Sequence, residues 1–210
     1  MLKKQAGLRS KQTCVQGARI TTAKLDQSEL CFLWNGALRS YRITQDGREI
    51  TTDLTRSTNS WRFVGICSKL HHLEALTDCE YVSLDAKAAA HLLLSNPDQL
   101  EPVLCQVLEK FEQSHQQLED LTCNDVTTRL ARVLSELCED FGETDGASVH
   151  LTLPMSQDRL ASMVSASRPT VNISLRQLRS LGLLTYAQGR IQILEPDRLR
   201  SVWEDPTVMC

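Results

Sequence analysis

No apolar run in this chain approaches the roughly 20 residues needed to cross a bilayer. The amino terminus, MLKKQAGLRSKQ, has lysines but no apolar stretch behind them, so it does not read as a secretion signal. Of the eight cysteines (Cys14, Cys31, Cys67, Cys79, Cys105, Cys123, Cys138 and Cys210), none forms a C-x-x-C or other compact metal-ligand spacing. In a chain without an export signal they read as free thiols of a cytoplasmic protein, with no metal and no resident cofactor expected. There is no paired His/Cys/Asp motif suited to nucleophilic catalysis, which leaves an enzyme as the least supported class. His71-His72 would point to opposite faces of an extended strand, so the pair reads as surface rather than as a metal site. Internal repeats and low-complexity segments are also absent.

What is present is an ordinary globular composition, 41% apolar and 23% charged over 210 residues, enough chain for two domains. The net charge of −3 is unevenly spread: residues 98–145 carry 12 acids and 3 bases, whereas residues 147–193 carry 5 bases and Asp158 as the sole acid. Phosphate attraction is screened within about 10 Å at moderate salt, so a locally basic segment can face a polyanion on an acidic molecule.

The first 96 residues read as β. Leu30–Trp34 and Ala37–Thr44 flank Asn35-Gly36, a hairpin-turn signal, and Gln45-Asp46-Gly47 turns the chain into a strand over Arg48–Leu54. Glu80–Leu84 is a further short strand, and the set suggests a small antiparallel barrel or sandwich. From Pro97 the period becomes helical. Leu100, Leu104, Val107, Phe111, Ser114, Leu118 and Leu121 fall at spacings of 4, 3, 4, 3, 4 and 3. That narrow heptad seam over 97–123 fits a dimer coiled coil; an amphipathic helix on its own domain, the other reading, usually has a broader stripe. Asn124-Asp125 can cap a helix over Val126–Phe141, Gly142–Gly146 reads as a polar loop, and Val149–Leu153 alternates like a strand.

Residues 124–210 hold the most informative stretch. Ser156 is a candidate N-cap with Asp158 in the first turn; Leu160, Met163 and Val164 form an apolar face; Ser165-Ala166-Ser167 is the turn. Ser167 caps a second helix in which Pro169 occupies the first turn. Val171, Leu175 and Leu178 face the core, which puts Arg168, Pro169, Asn172, Ile173 and Arg176 on the outer face. Two strand-like runs around Gln188-Gly189 follow. Helix, turn, helix and hairpin make a winged helix-turn-helix, whose second helix enters the DNA major groove. Arg168 can clamp phosphate or reach guanine, Asn172 can pair with adenine, and Ile173 and Pro169 can touch thymine methyls. Ser167 and Thr170 lie at the same helix start, while Arg179 and Arg190 are phosphate candidates.

The order of strand-rich domain, long helix and winged helix-turn-helix resembles the CRP/FNR family of bacterial transcription regulators. The likeness is strongest in NDVTTRLARVL (Asn124–Leu134) and LASMVSASRPTVNISLRQLRSLGLL (Leu160–Leu184), and is visible in FLWNGALRSYRITQDGREIT (Phe32–Thr51). The resemblance implies an α+β chain: a cyclic-nucleotide-binding-like barrel over 1–96, a dimerisation helix over 97–123 and a DNA-binding domain over 124–210. It also implies a homodimer on palindromic double-stranded DNA, contact with RNA polymerase, for which Glu143–Ser148 is a candidate loop, and no membrane. Departures narrow the expectation. Nucleotide-binding members carry Gly-Glu and then Arg-Ser; here Gly65 precedes Ile66 and Cys67, and Cys79 follows only fourteen positions on, so cAMP is not expected as effector. Only Cys14 lies in the first thirty residues, which does not match the clustered cysteines of iron–sulfur members. Phe63–Ile66 and Cys138–Gly142 resemble the cyanobacterial nitrogen regulators, which suggests 2-oxoglutarate or another small metabolite, with Lys110 as the cation. Phe63, Gly65, Cys67, Lys110, Ser114 and His115 form the candidate effector set, Cys67 being the candidate for thiol modification; a sensor active without ligand is the other case. Many members carry R-E-T-V-x-R in the second helix; Pro169 and Ile173 replace its Glu and second Arg, so an atypical operator is expected. The competing reading is an adaptor whose helix-turn-helix contacts protein.

Overall fold

The computed structural model describes residues 11–20, 29–68 and 70–204. The amino-terminal lysines and Cys210 lie outside them. The chain forms two compact units, Met1–Ser114 and His115–Cys210.

The first unit is a curled antiparallel sheet. Its strands are β1 (Gln12–Cys14), β2 (Arg19–Ile20), β3 (Glu29–Ile43), β4 (Glu49–Cys67), β5 (His72–Ala75) and β6 (Cys79–Asp85). β3 is the spine. β4 pairs with it along nearly its full length, while β6 pairs with its first half and β5 with its second. Gln45-Asp46-Gly47 does turn the chain, but the strand after it continues to Cys67 rather than ending at Leu54. Asn35-Gly36 is not a hairpin turn: β3 runs straight through it with a register shift between Leu33 and Asn35. Gly36 is needed for space. It sits at φ +103°, and a Cβ there would stand 2.4 Å from the Asp78 carbonyl oxygen and 2.7 Å from Cys79 Sγ. Glycine alone tolerates both demands. Helix α1 (Ala86–Leu94), capped by Asp85, was not anticipated from the sequence.

Two apolar clusters lie in this unit. One contains Ile20, Cys31, Leu33, Leu38, Val64, Cys67, Leu73 and Tyr81. The other joins Phe32, Val82, Leu84 and Ala89 to Phe63, Trp61 and Val103. Between strands sits a charged network. Arg39, 4% exposed, donates to Thr51 Oγ1 (2.8 Å), Glu74 Oε2 (2.7 Å) and Glu49 Oε2 (2.7 Å), with its guanidinium 4.5 Å from the Tyr41 ring centroid.

Helix α2 (Pro97–Cys123) matches the predicted span. Its Val103, Gln106 and Lys110 meet the sheet: Phe63 N donates to Gln106 Oε1 (2.6 Å), and Lys110 Nζ to Asp53 Oδ2 (2.5 Å) and Thr55 Oγ1 (3.2 Å). The heptad residues occupy a different stripe. Leu104, Val107, Phe111, Leu118 and Leu121 are between 40% and 61% exposed, with Leu108 beside them.

The second unit contains α3 (Val126–Phe141), β7 (Gly142–Asp145), β8 (Ser148–Leu151), α4 (Gln157–Met163), α5 (Arg168–Ser180), β9 (Leu184–Ala187), β10 (Arg190–Ile193) and α6 (Pro196–Glu204). Asp125 caps α3 by accepting from Thr128 N (2.8 Å), and Leu130, Leu134, Leu137 and Phe141 line its buried face. The stretch expected to be a loop, Gly142–Gly146, is instead mostly β7, which pairs with β8 in a sheet ordered β7-β8-β10-β9. Its polar side chains misled the reading, since an exposed edge strand carries no apolar alternation. Asp120, near the end of α2, is buried and held by Arg132 of α3 at 3.1 Å and by Asn124 (3.0 Å).

Candidate nucleic-acid interface

Local sequence chemistry builds the helix-turn-helix. Ser156 Oγ accepts from Arg159 N (3.1 Å) and starts α4. Ala161 is buried, and its carbonyl accepts from Ala166 N (3.0 Å) across the turn. Ser165 takes φ +50°, reversing the chain, and Ser167 Oγ then accepts from Thr170 N to start α5. Pro169 falls where the first-turn N–H has no helical partner. Val171 (0% exposed), Leu175 and Leu178 bury one face of α5. Ser174 is buried among them, and the Thr127 hydroxyl of α3 lies 3.0 Å from Ser174 Oγ and 2.8 Å from Gln177 Oε1. This polar tie between α3 and α5 had no signal in the sequence, because isolated Thr and Ser residues are read as helix-tolerated surface.

The opposite face gathers most of the predicted residues. Arg168, Pro169, Ile173 and Arg176 are exposed, Ile173 at 53%; Thr170 and Asn172 are half-buried beside them. Arg168 is held at the start of the face by Gln157 Oε1 (3.3 Å) and lies 3.8 Å from Asp158 Oδ2. Arg176 Nε donates to the Asn172 carbonyl (3.3 Å). Arg179 is exposed in the last turn of α5. The wing is a tight hairpin: Gln188 (φ +51°) and Gly189 (φ +78°) both take positive φ, as a type I′ turn requires. It is pinned by Met155 N donating to the Gly189 carbonyl (2.7 Å) and by Tyr186 OH donating to the Met155 carbonyl (3.2 Å). Arg190 follows the turn and is exposed. The result is a rigid helix face with two forked cations, a half-buried amide and an apolar patch, a combination suited to base edges, phosphates and thymine methyls.

The carboxy-terminal unit matches the Crp-like helix-turn-helix domain over residues 128–202. The global nitrogen regulator of Nostoc sp. is 25% identical over 170 residues, covering 79% of this chain and 76% of that protein. The CRP-like cAMP-activated global transcriptional regulator of Mycobacterium tuberculosis is 25% identical over 173 residues, covering 81% and 77%. A solved CRP/FNR-family transcriptional regulator from Thermus thermophilus superposes with a TM-score of 0.74 at 20% identity, over 93% of this chain and 99% of that one. The chain belongs to the CRP/FNR family. As a CRP/FNR protein it is a DNA-binding transcription regulator, not an enzyme. Among the described residues no helix is long and apolar enough to cross a membrane, and no group of three or more His, Cys, Asp or Glu is arranged to hold a metal ion.

The residues expected to form an effector site in this CRP/FNR chain are not gathered in one place. A bulge in β4, with Cys31 opposite Gly65 and Phe32 opposite Phe63, inserts Val64 and breaks the alternation. Phe63 therefore joins one apolar cluster and Cys67 the other. Cys67 is 2% exposed with its thiol donating to the Ile20 carbonyl (3.4 Å), so it is shielded from modifying reagents, contrary to expectation. Lys110 already has a carboxylate partner in Asp53. The Ser114 hydroxyl donates to the Lys110 carbonyl of its own helix (2.8 Å), and His115 is exposed.

Proposed function

We propose that the chain acts as a homodimer that reads a twofold-symmetric operator through α5, without cyclic nucleotide bound in the family's usual mode. The observation that carries the reading is the exposed face of Arg168, Pro169, Asn172, Ile173 and Arg176 on a capped, core-anchored helix beside a pinned wing. Arg168, Asn172 and Arg176 supply polar readout, and Ser167, Thr170, Arg179 and Arg190 contact the backbone. With Pro169 and Ile173 in the middle of the face, the half-site is richer in thymine methyl contacts than in charged readout.

Dimerisation is supported by the exposed seam of α2. Leu104, Val107, Leu118 and Leu121 repeat at heptad spacing on a stripe separate from Val103, Gln106 and Lys110, which face the sheet. Two protomers joined along it would present two reading helices to half-sites about 34 Å apart. The non-nucleotide reading is supported by β4, which runs as a strand through Thr55–Cys67 with no Gly-Glu step, and by Asp53, against which any anionic effector must compete for Lys110. The β7–β8 hairpin, with Glu143 and Asp145, is a surface for RNA polymerase.

Footprinting on selected DNA, with sedimentation of the free protein, tests the reading. A palindromic footprint and a dimer mass are expected. Arg168→Ala or Arg176→Ala should each weaken binding by about 1–3 kcal/mol per base contact, or roughly 5- to 150-fold. cAMP and cGMP should leave affinity unchanged. An effect of 2-oxoglutarate that Lys110→Met abolishes would identify a dicarboxylate effector instead. Absence of any shifted complex on DNA selected from random sequence would favour the adaptor reading.

A further inference from the structure

We propose that Cys14 and Cys79 form a reversible disulfide, making the β1–β6 edge of the first unit a site of oxidative modification by low-molecular-weight disulfides. The two residues are direct partners in the antiparallel register of β1 and β6. Directly opposed residues in such a pair have Cα atoms about 4.5–5.5 Å apart, inside the roughly 4.4–6.8 Å that a disulfide requires. The Cys79 thiol is held in place by donating to the Ala37 and Thr77 carbonyls, each at 3.2 Å. Gly36 on the neighbouring strand keeps the space that Cys79 Sγ fills, since a Cβ there would stand 2.7 Å from the sulfur. The spacing of sixty-odd residues between the two cysteines hid this pair in the sequence.

Accessibility sets the order of events. Cys14 is half-buried on an edge strand, whereas Cys79 is 2% exposed. The Cys14 thiolate attacks the small disulfide RSSR, forming a mixed disulfide and releasing one RS⁻. The Cys79 thiolate then attacks the Cys14 sulfur, closing the intramolecular bond and releasing the second RS⁻. The two protein protons end on the two released thiols; the protein dithiol is oxidised and RSSR is reduced to 2 RSH. Burial, then the neighbouring Cys79, push the Cys14 thiol up to about 11. The thiolate is therefore scarce at neutral pH, and the rate should rise about tenfold per pH unit up to that range. Cys31 and Cys67 are buried in the same cluster but are not register partners of Cys14, and stay reduced.

The test treats the purified full chain with oxidised glutathione at pH 8, blocks remaining thiols with N-ethylmaleimide and maps tryptic peptides without reduction. The expected product is the Cys14 peptide linked to the Cys79 peptide, about 2 Da lighter than the two reduced peptides together and released by dithiothreitol. Cys79→Ser should trap glutathione on Cys14, because the resolving thiol is gone. Cys14→Ser, a change on an edge strand, should leave Cys79 reduced and free of glutathione, and keeps the test valid if Cys79→Ser does not fold. Oxidised wild-type protein should also unfold several degrees higher than reduced protein, a shift missing in Cys14→Ser. A glutathione adduct that persists on Cys14 in the wild type, a Cys79 bond to any other cysteine, or no linked peptide at all would overturn the proposal.

Discussion

Replacing Arg39 with alanine should destabilise the first unit by about 3–5 kcal/mol, far more than a surface arginine would. Arg39 is 4% exposed and stands between two carboxylates, Glu49 on β4 and Glu74 on β5, at 2.7 Å each. Glu74 is its direct register partner across the β3–β5 ladder and is itself 15% exposed. Removing the guanidinium takes the shared cation from Glu49 and Glu74 and breaks its bond to the Thr51 hydroxyl. Arg19 reaches only the outer oxygen of Glu49, at 3.1 Å, and cannot replace the lost fork. Arg39→Lys should fall between, because an ammonium is a point charge that cannot bridge both carboxylates in a plane. The triple variant Arg39→Met, Glu49→Gln, Glu74→Gln should recover most of the loss, since it removes the two carboxylate charges together with the cation that bridges them. Urea unfolding followed by tryptophan fluorescence in a Trp203→Phe background reads the first unit through Trp34 and Trp61. At a slope of about 1–2 kcal/mol per molar, Arg39→Ala should lower the midpoint by roughly 1.5–5 M. A loss below about 1 kcal/mol, or a triple variant as unstable as the single one, would show that the network is not what holds β3, β4 and β5 together.

Charge placed on the α2 seam, as in Leu104→Glu with Leu118→Glu, should give a folded monomer in sedimentation and at least a hundredfold weaker operator binding, because one head loses the effective concentration supplied by the other. Lys110→Met should cost about 1–3 kcal/mol by leaving Asp53 with only the Thr55 hydroxyl (2.6 Å), and adding Asp53→Asn should restore part of it in a double-mutant cycle. Burial, with Arg42 and His72 adding to it, holds His71 below its ordinary imidazole value. The neutral ring is the form the fold prefers, so its contribution is intact above about pH 6.5 and is lost as pH falls through the lowered value. Thermal midpoints measured between pH 7.5 and 5 should decline less in His71→Gln than in the wild type.

The second unit was more legible than the first, for a reason visible in particular residues. Helix α3 begins after Asp125 and ends at Phe141 because capping and a 3.6-residue apolar period are both local signals. The same holds for Ser156, Ser167 and the Val171, Leu175, Leu178 stripe of α5. In the first unit the deciding contacts are long-range. Asn35-Gly36 has the local chemistry of a turn, but its glycine serves the close approach of Asp78 and Cys79, more than forty residues away. Thr55–Ser60 is polar enough to pass for a loop, yet it lies within β4, and Thr55–Thr58 pair with Asn35–Leu38 of β3. Arg39 reads as a solvent residue on a strand until Glu49 and Glu74 are brought to it. Among the candidate effector residues, one bulged residue, Val64, flips the alternation and places Phe63 and Cys67 in different apolar clusters.

An acidic protein that binds DNA is a smaller paradox at the level of its units than in its sum. The 12 acids of residues 98–145 fall on α2, α3 and the β7–β8 hairpin, whereas α4, α5 and the wing carry five arginines against Asp158. Asp158 is itself within 3.8 Å of Arg168, so the one acid of the reading head is partly neutralised before a duplex arrives. The pair is highly exposed on both sides, which keeps its worth near the 0–1 kcal/mol of surface ion pairs. In the proposed reading Arg168 exchanges Asp158 for a phosphate at little cost. Gln157 Oε1 accepts a further bond from Arg168 Nε (3.3 Å), so the exposed guanidinium leans toward the start of α4. In the proposed reading, the local placement of the arginines on α5 and the wing, and not the net charge, sets the docking register, so a chain of net charge −3 can still select one DNA sequence from many.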